Sequence, residues 1–170
     1  RKLQPHPDYP APPIEIGSKV SLVGSDVLKL EYMAIGEVSR LRLPPRAFSE
    51  RTDNLWKHSC FEAFIGRGNA ASYVEFNFSP STLWASYRFE SYRDGMQPAL
   101  DLSAPDIYTE GDNEVRFTLT ALLDLAKMGD VWPMSLGLSA VLEDRDGGLS
   151  YWALATPPES PISTTGIALR

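Results

Sequence analysis

The stretch "VLKLEYMAIG" (residues 27–36) decides the fold class, because its apolar and polar side chains alternate with a period of two. Successive side chains of an extended strand point to opposite faces, so such alternation predicts a half-buried β-strand. One face of this strand is apolar throughout and consists of Leu28, Leu30, Tyr32 and Ala34.

Similar runs recur along the chain, at 39–45, 59–66, 72–80, 83–92, 113–120, 135–144, 149–158 and 166–170. The segment "DRDGGL" (144–149) has the Asp-Gly-Gly content of a hairpin turn. Only "TALLDLAKMG" (120–129) has a helical pattern, with Thr120 as N-cap and Gly129 as stop. We therefore predict an all-β fold, an antiparallel β-sandwich of jelly-roll type with one short helix.

Residues 1–13 contain five prolines and no apolar period, so we expect an extended lead-in rather than a folded element. Residues 14–170 then form a single β-sandwich domain, since no repeat or composition break divides them.

The composition excludes several classes of partner. A net charge of −6 argues against binding to nucleic acid or to anionic membranes. One cysteine excludes an internal disulfide, and two histidines give little basis for a transition-metal site, so neither metal nor cofactor is expected. The residues present contain no signal-peptide pattern, which favours the cytoplasm, although a peptide removed before Arg1 would leave no trace.

Polar side chains gather on one face of the central strands. Glu62 shares a face with Cys60 and Phe64 under strict alternation, and Glu75 and Asn77 share one in the next strand. A histidine and a cysteine two apart on one strand point the same way, so Cys60 is interpreted as a strand residue and not as a nucleophile.

In "TLWASYRFE" (82–90) we place Trp84 and Arg88 on the same polar surface, with Arg40 and Arg42 as further candidates. Trp56 lies in the loop that precedes the strand of Glu62. Aromatic rings beside carboxylate, amide and guanidinium groups are what a polyhydroxylated ligand requires. The predicted ligand-binding residues are Trp56, Glu62, Glu75, Asn77, Trp84 and Arg88.

The opposite faces should fill the core. The expected core aromatic residues are Phe61, Phe76, Phe78, Tyr87, Phe89 and Phe117.

The runs "LWKHSCFEAFIG" (55–66), "YVEFNFSPS" (73–81), "YRFESYRDGM" (87–96) and "LSYWAL" (149–154), with a closing "GIALR", resemble DOMON-like sandwich domains. More narrowly, the chain is similar to bacterial proteins related to the family-nine carbohydrate-binding modules. The resemblance implies a tryptophan six positions before a glutamate that binds hydroxyls, a spacing that Trp56 and Glu62 have. The family's second aromatic wall lies before the last strand; here that loop, 156–166, has no aromatic residue, so Trp84 or Trp152 would have to substitute.

The favoured hypothesis is a non-catalytic module that binds a saccharide or a similar small polar molecule. A glycoside hydrolase using Glu62 and Glu75 as its carboxylate pair is the enzymatic alternative. Haem binding would need axial ligands from scattered residues, namely His58 or one of Met33, Met96, Met128 and Met134. The polar face could also be a protein–protein surface, including a homodimer contact, and the sequence leaves the oligomeric state open.

Overall fold

A computed structural model describes residues 1–154 of the chain, and within them nearly all regular structure is antiparallel β-strand. The strands are β1 (Lys2–Pro5), β2 (Ile14–Val23), β3 (Val27–Gly36), β4 (Cys60–Arg67), β5 (Tyr73–Phe78), β6 (Trp84–Phe89), β7 (Gln97–Pro98), β8 (Asp106–Gly111), β9 (Arg116–Asp124), β10 (Met134–Glu143) and β11 (Leu149–Ala153). Short 3-10 helices cover Val38–Arg40, Leu55–Lys57 and Leu125–Met128. Over residues 1–154, none of the helices has the length and apolar character needed to cross a bilayer.

The strands form one curled sheet in the order β7-β6-β5-β4-β10-β11-β1-β2-β3-β9-β8. Strand β1 pairs with β11 on one side and with β2 on the other. It therefore joins a half built from β4–β7, β10 and β11 to a half built from β2, β3, β8 and β9. The two halves pack face to face in a sandwich-like arrangement, which confirms the predicted all-β class.

The core lies between the halves. Tyr32 of β3 contacts Phe61 of β4 with ring centroids 5.1 Å apart, and Phe61 stacks on Phe117 of β9 at 6.0 Å. All six aromatic residues predicted to be core are buried. Tyr87 and Phe89 are nevertheless in a second cluster, on the opposite face of the sheet from the main core.

The helix predicted over 120–129 is wrong. Strand β9 continues to Asp124, and only Leu125–Met128 form a 3-10 turn. Asp124, and not Thr120, caps it by accepting a hydrogen bond from the backbone N–H of Ala126. Alternate residues of β9 are buried up to Leu123 on the face that meets the other half of the sandwich, so tertiary packing prevails over the weak helical pattern.

The lead-in prediction is also wrong for Lys2–Pro5, which is strand β1. Leu3 is fully buried in the core, although a single apolar residue among prolines gave no strand signal. The run at 39–45 is not a strand either, because only Leu41 makes a β-bridge, to Asp144. The expectations for the loop 156–166 and the closing strand 166–170 lie outside the described residues.

Candidate ligand-binding site

A cavity of about 340 Å³ lies on the outer face of the half that contains β4, β5 and β6. Strands β10 and β11 and the loop between β6 and β7 complete its boundary. Six aromatic residues line it: Trp56, Phe64, Tyr73, Phe89, Tyr92 and Tyr151.

The floor of the cavity carries two carboxylates from neighbouring strands. In the register of β4 and β5, Glu62 stands opposite Asn77 and Glu75 stands opposite Phe64, so the two glutamates are diagonal neighbours on one face. Ser139 of β10, opposite Glu62 on the other side, donates its hydroxyl to Glu62 Oε2. Asn77 Nδ2 donates to Glu75 Oε1 at 2.9 Å.

Each carboxylate keeps one oxygen for a ligand. Among residues 1–154, neither Glu62 Oε1 nor Glu75 Oε2 has a hydrogen-bond partner. Within the same residues, Arg51 Nε is the only side-chain nitrogen or oxygen that is both fully buried and without a hydrogen-bond partner. The two glutamate oxygens also lack partners, so they are not fully buried and remain accessible. The cavity thus presents two acceptor oxygens at its base.

Burial changes the protonation of this pair. Desolvation, followed by the charge of Glu75, raises the pKa of Glu62 from 4.5 to about 7, although the Ser139 hydrogen bond and Arg93 oppose the rise. Desolvation also raises the pKa of Glu75, opposed by Asn77 and Arg93. Near neutral pH, Glu62 can therefore gain or lose a proton as its surroundings change.

Trp56 is positioned by a loop that is tied to β6. Its indole meets the ring of Tyr87 edge to face at 5.6 Å. The Tyr87 hydroxyl donates to Asp53 Oδ1 at 2.7 Å, and Arg51 bonds the same carboxylate oxygen at 2.7 Å. The pKa of Asp53 is lowered, first by the Tyr87 hydroxyl and then by Arg51, so the loop is held by an ionised carboxylate.

The opposite wall consists of stacked aromatic rings, with the long side chain of an arginine at its rim. Tyr73 and Phe89 stack with centroids 4.7 Å apart and nearly parallel planes. Arg93 lies at the rim, where its guanidinium sits 5.4 Å from the ring centre of Tyr92 and its backbone N–H donates to the Tyr73 hydroxyl.

Residues of the lead-in support the wall at β11. The ring of Tyr9 packs edge to face against Tyr151 at 4.6 Å, and His6 packs against Tyr9. The backbone N–H of His6 donates to the carbonyl of Tyr151 at 2.7 Å. This proline-rich segment thus contributes to the cavity as well as to the core.

Three of the six predicted site residues line the cavity, namely Trp56, Glu62 and Glu75. Asn77 lies on the same face but is fully buried, where it accepts from the Cys60 thiol and orients Glu75. Trp84 and Arg88 lie on the opposite face, because Trp84 stands opposite Phe78 and Arg88 opposite Val74.

The predicted orientation of β6 is therefore wrong. Trp84 packs in the main core, and Arg88 bonds Asp101 at 2.6 Å, away from the cavity. Ser86 shares this inward face and is buried, with its hydroxyl bonded to the carbonyl of Ala99 at 3.0 Å. The 97–102 segment provides partners for the polar residues of β6, which is why these residues can lie on the inward side, where alternation alone would expect apolar side chains.

The other candidate residues lie away from the cavity. Arg40 pairs with Glu37. Arg42 and His58 both bond the buried carboxylate of Glu143, at 2.9 and 2.7 Å. Within residues 1–154, no three His, Cys, Asp or Glu side chains come together as a metal site.

Cys60 is fully buried beneath the cavity. Burial, and then the charge of Glu62, raises the pKa of its thiol well above the usual value, which disfavours a reactive thiolate.

Several cavity residues were missed by sequence reasoning. Phe64 and Tyr73 were placed on the right face by alternation, but a lone aromatic residue in a strand is normally core. Phe89 was assigned to the core because alternation placed it on the face opposite Trp84 and Arg88, which was expected to be the inner face. Tyr92, Arg93 and Met96 come from a loop, where periodicity carries no information.

The fold and cavity define an antiparallel β-sandwich protein with a site of ligand size on the outer face of one sheet. Similar architecture occurs in a crystal structure described as that of a "putative carbohydrate-binding protein" from Bacteroides uniformis ATCC 8492. The TM-score is 0.58 at 12% sequence identity, over 91% of this chain and 79% of that one, so the likeness establishes a shared fold. No family model and no curated protein matches the sequence.

Proposed function

We propose that this chain is a non-catalytic binding module, and that its ligand is a carbohydrate or a similar small polar molecule held in the cavity. The observation that carries the proposal is the pairing of two acceptor oxygens, on Glu62 and Glu75, with aromatic walls. Carboxylates accept hydrogen bonds from hydroxyl groups, and aromatic rings pack against the C–H face of a sugar ring.

The dimensions suit a small ligand. Ligand pockets commonly measure about 300–1,000 Å³, and this cavity of about 340 Å³ is near the lower limit. One sugar ring between Trp56 and the stacked pair of Tyr73 and Phe89 would place its hydroxyls above the glutamates. Longer saccharides would extend past the rim at Arg93.

The comparison supports the carbohydrate class, since the protein from Bacteroides uniformis carries that description. The narrower relationship, to DOMON-like domains and family-nine modules, is part of the proposal. It is supported by the spacing of Trp56 and Glu62, which both line the cavity. The cytoplasmic location stays a prediction.

Tryptophan fluorescence titrated with a panel of mono- and oligosaccharides tests the proposal. Trp56 lines the cavity, so a ligand should shift the emission of the parent protein and of Trp132→Phe, but not that of Trp56→Phe. Calorimetry should show weaker binding to Glu75→Gln than to Glu110→Gln, a matched loss of charge at an exposed position in β8. If no saccharide in the panel binds and a protein partner instead binds the same face, a protein-binding function would replace this one.

A glycoside hydrolase is the second candidate, and the raised pKa of Glu62 favours it, because a general acid needs a pKa near the working pH. The pKa of Glu75 is raised as well, whereas an acid and nucleophile pair needs environments that separate the two values. Turnover of aryl glycosides that is lost in Glu62→Gln would establish the enzyme in place of the module.

A further inference from the structure

The charges that face the cavity are unbalanced. Its lining contains two carboxylates, Glu62 and Glu75, and one cation, Arg93. Within residues 1–154, no ion pair within 4.0 Å joins either glutamate to a basic group. Arg93 is exposed and lies over the ring of Tyr92, so its charge acts on the two glutamates from the rim and not through direct contact.

The surroundings of the two carboxylates suit a cation. Aromatic faces attract ammonium groups, by about 0.5–1 kcal/mol where exposed and about 2 kcal/mol where desolvated. Phe64 stands directly opposite Glu75 in the adjacent strand, and Tyr73 and Trp56 bound the same space. A positive group at the floor would meet carboxylate oxygens below and rings at its sides.

We propose that the ligand is an amino sugar, whose protonated amino group lies between Glu62 and Glu75 while its ring packs against the aromatic walls. This inference rests on the proposed function and narrows its ligand class. A hydroxyl can donate to one acceptor oxygen, whereas an ammonium group has three donors and a full charge, so it can serve both glutamates at once.

The protein as a whole favours such a ligand. Its net charge of −6 attracts a cation from solution and repels an acidic sugar. The Tyr73 hydroxyl at the wall, and the buried Cys60 and Tyr32 next to Glu62, are neutral near pH 7, since burial raises the pKa of each of these three groups. The electrostatic potential in the cavity is therefore determined mainly by the charged residues that line it, namely Glu62, Glu75 and Arg93.

Cation binding should also expel a proton. Glu62 is partly protonated near pH 7, and an ammonium group beside it would stabilise the ionised form. Calorimetry at pH 6, where the amino group of the sugar is already largely protonated, should therefore show proton release when an amino sugar binds, and no release when a neutral sugar binds. The release is measured by comparing buffers with different ionisation enthalpies.

The deciding experiment compares the trimer of glucosamine with the trimer of N-acetylglucosamine at pH 7, by calorimetry on the full chain. The two share a backbone, but only the first carries ammonium groups. We expect the glucosamine trimer to bind about tenfold tighter, and its affinity to fall more steeply with added salt. The preference should shrink to below about threefold in Glu75→Gln and persist in Glu110→Gln.

Circular dichroism would establish that Glu75→Gln is folded, and Glu62→Gln would serve in its place if it is not. Equal affinity for the two trimers, or tighter binding of the acetylated one, would overturn the amino-sugar inference and leave the carbohydrate module standing. Binding of neither trimer, nor of any neutral saccharide in the panel, would overturn both.

Discussion

At the residue scale, Glu62 shows how one side chain can serve structure and function together. Its backbone carbonyl accepts from the buried Tyr32 hydroxyl at 2.8 Å, which connects the two halves of the sandwich. Its carboxylate meets Ser139 and faces the cavity. Because a charge is held where water is scarce, its ionisation works against folding.

The free energy of unfolding should therefore fall as pH rises, because of Glu62. A carboxyl whose pKa is higher in the folded state stabilises the fold fully below its unfolded pKa, and that stabilisation is lost as pH rises through the folded pKa. For Glu62 the window runs from 4.5 to about 7. Across this window the ionisation of Glu62 should lower the free energy of unfolding by on the order of 3 kcal/mol. Urea denaturation of the parent protein and of Glu62→Gln, at pH values across the window, would measure this loss.

The variant should lose most of that pH dependence, because glutamine does not titrate. Glu110→Gln, at an exposed site in β8, should retain it. Identical pH profiles for the parent protein and Glu62→Gln would contradict a destabilising ionisation at this position.

At the element scale, strand β6 shows the limit of alternation. Its sequence places large apolar side chains on both faces, with Trp84 on one and Tyr87 and Phe89 on the other. Directly opposed residues of an antiparallel pair share a face, so the pairing of Trp84 with Phe78 fixes its orientation. Register between strands settled what periodicity within the strand left ambiguous.

The hydroxyl of Tyr87 should contribute to both folding and ligand binding. Tyr87→Phe removes the hydrogen bond to Asp53 and releases the loop that carries Trp56. We expect a loss of about 1 kcal/mol in stability, since water replaces the hydroxyl at Asp53, with ligand affinity lowered several-fold. Titration of Tyr108→Phe, at an exposed tyrosine in β8, provides the control and should match the parent protein.

Strand β1, at the same scale, joins the two halves of the sandwich with only four residues. Leu3→Ala should cost about 2–5 kcal/mol, the usual range for a buried leucine, since Leu3 is fully buried in the core. Lys2→Ala removes only an exposed ion pair with Glu15 and should cost less than about 1 kcal/mol. Equal stabilities for the two variants, by thermal or urea denaturation, would show that β1 is not part of the cooperative fold.

At the scale of the whole molecule, the half of the sheet that contains β4, β5 and β6 has buried clusters on both of its faces. Its inner face meets the other half in the main core, and its outer face holds a smaller cluster that supports the cavity. The aromatic residues of β4 and β5 divide accordingly, with Phe61 and Phe76 inside and Phe64 and Tyr73 outside.

The two clusters should differ in their contribution to stability. Phe76→Ala, in the main core, should cost about 3–5 kcal/mol, because the fully enclosed site cannot be refilled by solvent. Phe64→Ala, at the cavity wall, should cost about 1–2 kcal/mol, because its ring is only half-buried, and it should weaken ligand binding. Urea denaturation would compare them, and a larger cost for Phe64→Ala would reverse the assignment of core and site.

The sequence by itself determined the all-β class, the strand at 27–36, the hairpin turn at 144–149 and the placement of Glu62 and Glu75 on one face. Those features follow from local rules: side chains alternate along a strand, and Asp-Gly-Gly favours a tight turn. Tertiary structure alone decided the strand at Lys2–Pro5, the inward orientation of Trp84 and Arg88, and the loop residues that close the cavity. The reason is physical, since strand pairing and burial depend on partners distant in sequence, which alternation within one strand does not encode.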